Sequence, residues 1–132
     1  MNNYRSVILD ASALIALIAQ ETGWEKVAAV LPKAMMSSVN VAEVGTFAVR
    51  KYGVNKEGVR ELIEQTVPEV VDFNCSLAFL ASELVVKTKN FGLSLGDRAC
   101  LALALTTGYP IFTTDKIWSA LKIENLHIEQ LR

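Results

Sequence analysis

The chain has 132 residues, 52% of them apolar, and 13 Lys and Arg against 14 Asp and Glu leave a net charge of −1. That length suits one compact domain burying roughly two thirds of its unfolded surface, and the balanced charge excludes a whole-molecule field favouring nucleic acid or an anionic membrane. Two cysteines are too few for a secreted disulfide scaffold; Cys100, inside Ala99-Cys100-Leu101-Ala102-Leu103, reads as a reduced core thiol in a cytoplasmic protein.

In chain order, Ser6-Val7-Ile8-Leu9 reads as a short buried strand and 13–19 as an apolar helix, with Asp10 at the switch between them. A charge in mid-run, and a run shorter than the ~20 apolar residues of a membrane helix, argue against a signal or membrane segment. Glu21-Thr22-Gly23 breaks this helix before a second one over 24–31, which Pro32 closes. A second strand over 34–39 runs into a helix whose Val41, Val44, Ala48, Val49 and Tyr52 share one face, with Gly53 as its left-handed cap. Asn55 opens a helix that ends before Pro68, and 70–73 reads as a third strand. The stripe Leu77, Leu80, Ala81, Leu84, Val85 gives the clearest helix of the chain, continuing through Lys87 and Lys89 to Gly92. Ser94 caps the next helix, apolar on every side from 99 to 105 and therefore central, ending at Gly108. A fourth strand over 110–114 follows; Asp115 then caps a short helix holding Trp118 and Leu121, and 127–129 adds a last short strand.

Strands alternating with helices imply right-handed crossovers and a mostly parallel sheet of four to five strands with helices on both faces. No glycine-rich dinucleotide or P-loop pattern occurs. In such a sheet the carboxyl ends of the strands and the amino ends of the following helices lie on one edge, where ligands collect. Asp10, Glu43, Asp97 and Asp115 all fall there. Each has a plainer reading: Asn40-x-x-Glu43 and Ser94-x-x-Asp97 match capping boxes, and Asp115 is a good N-cap. Together, however, four carboxylates repel, by ~4 kcal/mol per pair at ~4 Å and an effective dielectric of about 20, so the cluster must hold protons or bind a cation. Oxygen donors with no His or Cys suit Mg²⁺ or Mn²⁺. Ser12, Asn40, Thr113 and Thr114 beside them either orient a carboxylate or water, or serve as caps and strand-end hydroxyls. Arg98 and Lys116 flank two of the acids and are candidate phosphate contacts; Arg50, Lys51, Lys56 and Arg60 cluster where two helices meet. His127, the lone histidine, reads as a surface residue, so a two-histidine nuclease mechanism cannot be assembled.

The ordered set Leu9-Asp10-Ala11-Ser12-Ala13, Glu43 after Ser37-Ser38-Val39, Leu93-Ser94-Leu95-Gly96-Asp97-Arg98 and Thr113-Thr114-Asp115 resembles the PIN-domain family, most closely its VapC-type toxin ribonucleases. The resemblance spans nearly the whole chain. It implies a three-layer α/β/α fold over residues 1–132, with Asp10, Glu43, Asp97 and Asp115 as metal-binding catalytic acids and Ser12 and Thr113 in support. It further implies Mg²⁺-dependent hydrolysis of RNA, a small antitoxin partner and a homodimer. Two other readings compete: a catalytically silent PIN-like module that binds RNA or protein, and a phosphorylated receiver-type domain. The last would want adjacent acids after the first strand, where Asp10 stands alone.

Overall fold

The computed structural model describes residues 5–132. Five strands, β1 (Val7–Leu9), β2 (Ala34–Ser37), β3 (Glu69–Val71), β4 (Ile111–Thr113) and β5 (Ile128–Gln130), form one sheet in the order β3-β2-β1-β4-β5. Every pairing is parallel, with Ile8 opposite Met35 on one side and Ile111 on the other. From β1 the chain crosses to β2, whereas β4 lies on the opposite flank. The carboxyl ends of β1 and β4 therefore mark the topological switch point of the sheet, where ligands collect in open parallel sheets.

The alternating side chains of the strands feed two cores. Val7, Leu9, Met36 and Phe112 pack against α1 (Ala11–Ala19), α2 (Trp24–Val30), α3 (Ser38–Tyr52) and α4 (Lys56–Thr66). Ile8, Met35 and Ile111 face α5 (Cys75–Glu83) and α7 (Leu95–Thr107), with Trp118 buried beside them. This is the three-layer α/β/α arrangement expected from the alternation of elements. Helix α7, buried at every position from Ala99 to Ala104, is the central one, and Gly108 ends it at φ 78°.

Three local expectations are corrected. The second strand stops at Ser37, which caps α3 by accepting from the Val39 amide at 3.3 Å, so Asn40 lies inside the helix and the Asn40–Glu43 capping box does not form. The expected long helix over 77–89 is interrupted at Leu84: α5 ends at Glu83, and α6 (Val85–Thr88) leads into a 3₁₀ turn, Lys89–Phe91. β-branched Val85, Val86 and Thr88 favour helix weakly, and the Thr88 hydroxyl back-bonds to the Leu84 carbonyl at 2.9 Å, a contact that bends helices. The segment after Asp115 is a 3₁₀ helix, Lys116–Ala120. No helix among the described residues is long and apolar enough to cross a membrane.

Candidate active site

Asp10 directly follows β1 and caps α1, its Oδ1 accepting from the Ala13 amide at 2.9 Å. Ser12 Oγ donates to the same oxygen at 2.7 Å, and Thr113 Oγ1, from the end of neighbouring β4, donates to Oδ2 at 2.6 Å. A carboxylate offers about four lone pairs, so Oδ1 is fully engaged while Oδ2 keeps one. The hydroxyls are fixed in turn: Ser12 Oγ accepts from the Thr114 amide at 3.1 Å and Thr113 Oγ1 from the Asp115 amide at 3.0 Å. The loop after β4 is thereby tied to the cap of α1.

Asp10 is 5% exposed. Burial penalises its charge more than the bonds from Thr113, Ser12 and Ala13 favour it, and nearby Asp97 adds repulsion, so its pKa rises from 3.8 to about 6. The Cys100 thiol, fully buried in α7, is pushed well above its ordinary value, first by burial and then by the charges of Asp10, Asp97 and Glu43. Those three acids thus share one field at this edge of the sheet.

Asp97 stands in the first turn of α7, where the Ser94 capping box forms as expected: Ser94 Oγ accepts from the Asp97 amide at 3.2 Å, and the Ser94 amide donates to Asp97 Oδ2 at 2.9 Å. Glu43 is exposed and reaches from α3 to the same turn, its carboxylate lying over Gly96. Asp115 connects to the group through Thr113, and its own Oδ1 accepts from the Ile117 amide at 3.0 Å as the cap of the 3₁₀ helix. Lys116 beside it is exposed. Arg98 is engaged elsewhere, its Nη1 donating to the Ala81 carbonyl at 2.9 Å and joining α7 to α5. His127 is exposed, as its place near the end of the chain suggested, and Trp118 is fully buried.

Sequence reasoning offered Asn40 as an orienter of a carboxylate or water, or as a cap, and did not single out Gly96. Asn40 is 1% exposed, and its Nδ2 donates to both Glu43 Oε1 (2.7 Å) and the Gly96 carbonyl (3.0 Å). The available signal was a glycine in the first turn of a helix, where it costs stability unless something must approach closely.

Among the described residues, no three carboxylate, histidine or cysteine side chains close on one point as a ready-made ion cage. The donor chemistry nonetheless fits a hard divalent cation. The donors are all carboxylate oxygens, Asp10 Oδ2 keeps a free lone pair, and Gly96 leaves the space that the Glu43 carboxylate occupies. Mg²⁺ needs only one or two carboxylates besides water and substrate phosphate.

The PIN domain family profile matches residues 7–124, and the chain belongs to that family. Its fold is similar to that of Mycobacterium tuberculosis VapC20, a sarcin-ricin loop cleaving toxin (TM-score 0.72, 21% identity, 90% of this chain and 98% of that one). It is also similar to VapBC2 from Rickettsia felis bound to a promoter DNA fragment (0.70, 18%, 96% and 98%) and to a toxin–antitoxin complex from Klebsiella pneumoniae (0.69, 20%, 92% and 95%). No curated protein sequence matches the chain.

Proposed function

We propose that this PIN-domain protein is a metal-dependent endoribonuclease and the toxin of a toxin–antitoxin pair in the cytoplasm. The observation that carries the reading is the grouping of Asp10, Glu43 and Asp97 at the switch point of a parallel sheet, with Asp10 buried and held by two hydroxyls. Membership of the family and the likeness to toxin structures, one of them a sarcin-ricin loop cleaving toxin, support it.

In this mechanism Asp10, Glu43 and Asp97 would hold Mg²⁺ or Mn²⁺, with Asp115 as the outlying fourth acid. When bound, the cation supplies charge neutralisation at the phosphodiester and activation of water for in-line attack on phosphorus. Ser12 and Thr113 direct their protons at Asp10 and fix the orientation of its carboxylate, leaving one lone pair of Oδ2 for the ion. Lys116, exposed beside Asp115, would meet a backbone phosphate. The buried Cys100 thiol stays protonated and takes no part.

The test is cleavage of total cellular RNA by the purified protein with Mg²⁺ or Mn²⁺, with EDTA, and with folded Asp10→Asn and Asp97→Asn variants. Metal-dependent cutting that both variants lose is the expected result. Equal cutting by the variants would assign the activity to another site or to a contaminant, and no cutting together with no metal binding would leave a silent binding module. Co-purification with the product of an adjacent small gene, and sedimentation of the purified protein, test the antitoxin partner and the homodimer.

A further inference from the structure

Because Ser37 takes the capping role, the Asn40 side chain is released from the backbone it was expected to serve. Its two amide protons go instead to Glu43 Oε1, one turn along α3, and to the carbonyl of Gly96, 56 residues away in the first turn of α7. Both partners are acceptors, so the orientation of the amide is determined and Asn40 Oδ1 is left buried without a partner. Gly96 completes the arrangement. A Cβ there would lie 2.6 Å from Glu43 Oε1, so only glycine lets the carboxylate rest on this turn, one residue before Asp97.

The geometry points to Asn40 as a positioning residue of the acid site: with Gly96 it clasps Glu43 to the helix that carries Asp97 and so sets the placement of the two acids on which cation binding depends. The inference rests on the metal-dependent reading above. Without the clasp, Glu43 is an exposed, flexible side chain that must be ordered at the moment of binding, an entropic cost the bound amide removes in advance. One oxygen of Glu43, Oε1, is committed to the amide, and the other, Oε2, would remain to hold the ion.

The test is calorimetric titration of Mn²⁺, without RNA, into the parent, Asn40→Ala, Glu43→Ala and the double variant, with folding checked by near-UV circular dichroism. The expected loss of affinity in Asn40→Ala is about 10–100-fold, the range for removing a partner of a metal ligand. In the Glu43→Ala background the same change should alter affinity less than about twofold, because Asn40 acts through Glu43. Parent-like affinity in a folded Asn40→Ala, or an equal loss with and without Glu43, would overturn the assignment while leaving the metal reading intact. Failure of the parent to bind Mn²⁺ would overturn the metal reading and this inference with it. Should Asn40→Ala not fold, Gly96→Ala approaches the clasp from the other side; Ala favours helix, and the same loss, absent in the Glu43→Ala background, is expected.

Discussion

Two acids in this protein occupy equivalent positions and are used differently. Asp10 and Asp115 each follow one of two adjacent parallel strands by at most two residues, and each caps the helical turn that comes next. Asp10 is sealed beneath Ser12 and Thr113, nearly excluded from water, and its carboxylate collects three hydrogen bonds. Asp115 is half-buried, and among the described residues its carboxylate accepts one bond, from the Ile117 amide. Capping alone therefore does not distinguish a structural acid from a chemical one. Burial of a charge beyond what its hydrogen bonds offset sets Asp10 apart, because it leaves that carboxylate in need of a proton or a cation.

The largest expected effect is on Asp10 itself. Asp10→Asn keeps the size and hydrogen-bonding reach of the side chain but removes the charge, and RNA cleavage should fall by more than about 100-fold, since even a lost partner of a metal ligand costs about 10–100-fold. A folded variant cutting within a few-fold of the parent would dissolve the contrast with Asp115.

The next effect is on stability without metal. The pKa of Asp10 is raised from 3.8 to about 6 in the folded state, so in that window the native protein holds a proton that the unfolded chain has released. Stability is then fully present below pH 3.8 and falls as pH rises to about 6, by on the order of 3 kcal/mol for this group. Urea unfolding in EDTA from pH 4 to 7.5 should show the parent losing this increment relative to Asp10→Asn, which cannot titrate. Mg²⁺ should restore the parent at pH 7.5 and leave the variant unchanged. Parallel pH profiles for the two proteins would mean that Asp10 carries no buried-charge penalty.

Thr113→Val is close to isosteric and deletes the 2.6 Å bond to Asp10 Oδ2 together with the acceptor for the Asp115 amide. Hydrogen bonds to charged groups contribute about 1.5–3 kcal/mol, so a loss of that size by urea denaturation at pH 7.5 is expected. Cleavage should drop about 10–100-fold. Because the bond holds the Asp10 pKa down, its removal should also move the stability–pH window upward.

The sheet and both helical layers were legible because short apolar runs and helical stripes carry their periods in sequence, most plainly in the buried β1 and β4 beside the site. The placement of the four acids at one edge followed from the alternation of elements, and the Ser94–Asp97 box from its local spacing. Of the two readings of Asn40, as a cap or as an orienter of a carboxylate or water, the capping one failed for a physical reason: two capping residues, Ser37 and Asn40, compete within four positions, and the choice depends on where β2 must end to pair with β3 through Ser37 and Val71. The same limit hid Gly96, whose role is a contact across 53 residues with Glu43 that no local pattern encodes. The break at Leu84 was concealed by a good apolar stripe, which outweighed the weak helix preference of Val85, Val86 and Thr88 in the reading but not in the fold.

Asp115 sharpens the comparison from its weak side. Asn caps helices as well as Asp does, so Asp115→Asn should retain the bond to the Ile117 amide and change stability by no more than about 0.5 kcal/mol. Asp115→Ala, which loses the cap, should cost about 1 kcal/mol. Cleavage by Asp115→Asn should fall less than about tenfold, below the loss in Thr113→Val, because the amide of Asp115 still anchors the Thr113 hydroxyl that serves Asp10. A loss as deep as that of Asp10→Asn, with stability unchanged, would show that Asp115 turns inward to the ion once substrate is bound, and would make the two strand ends equal partners in the chemistry.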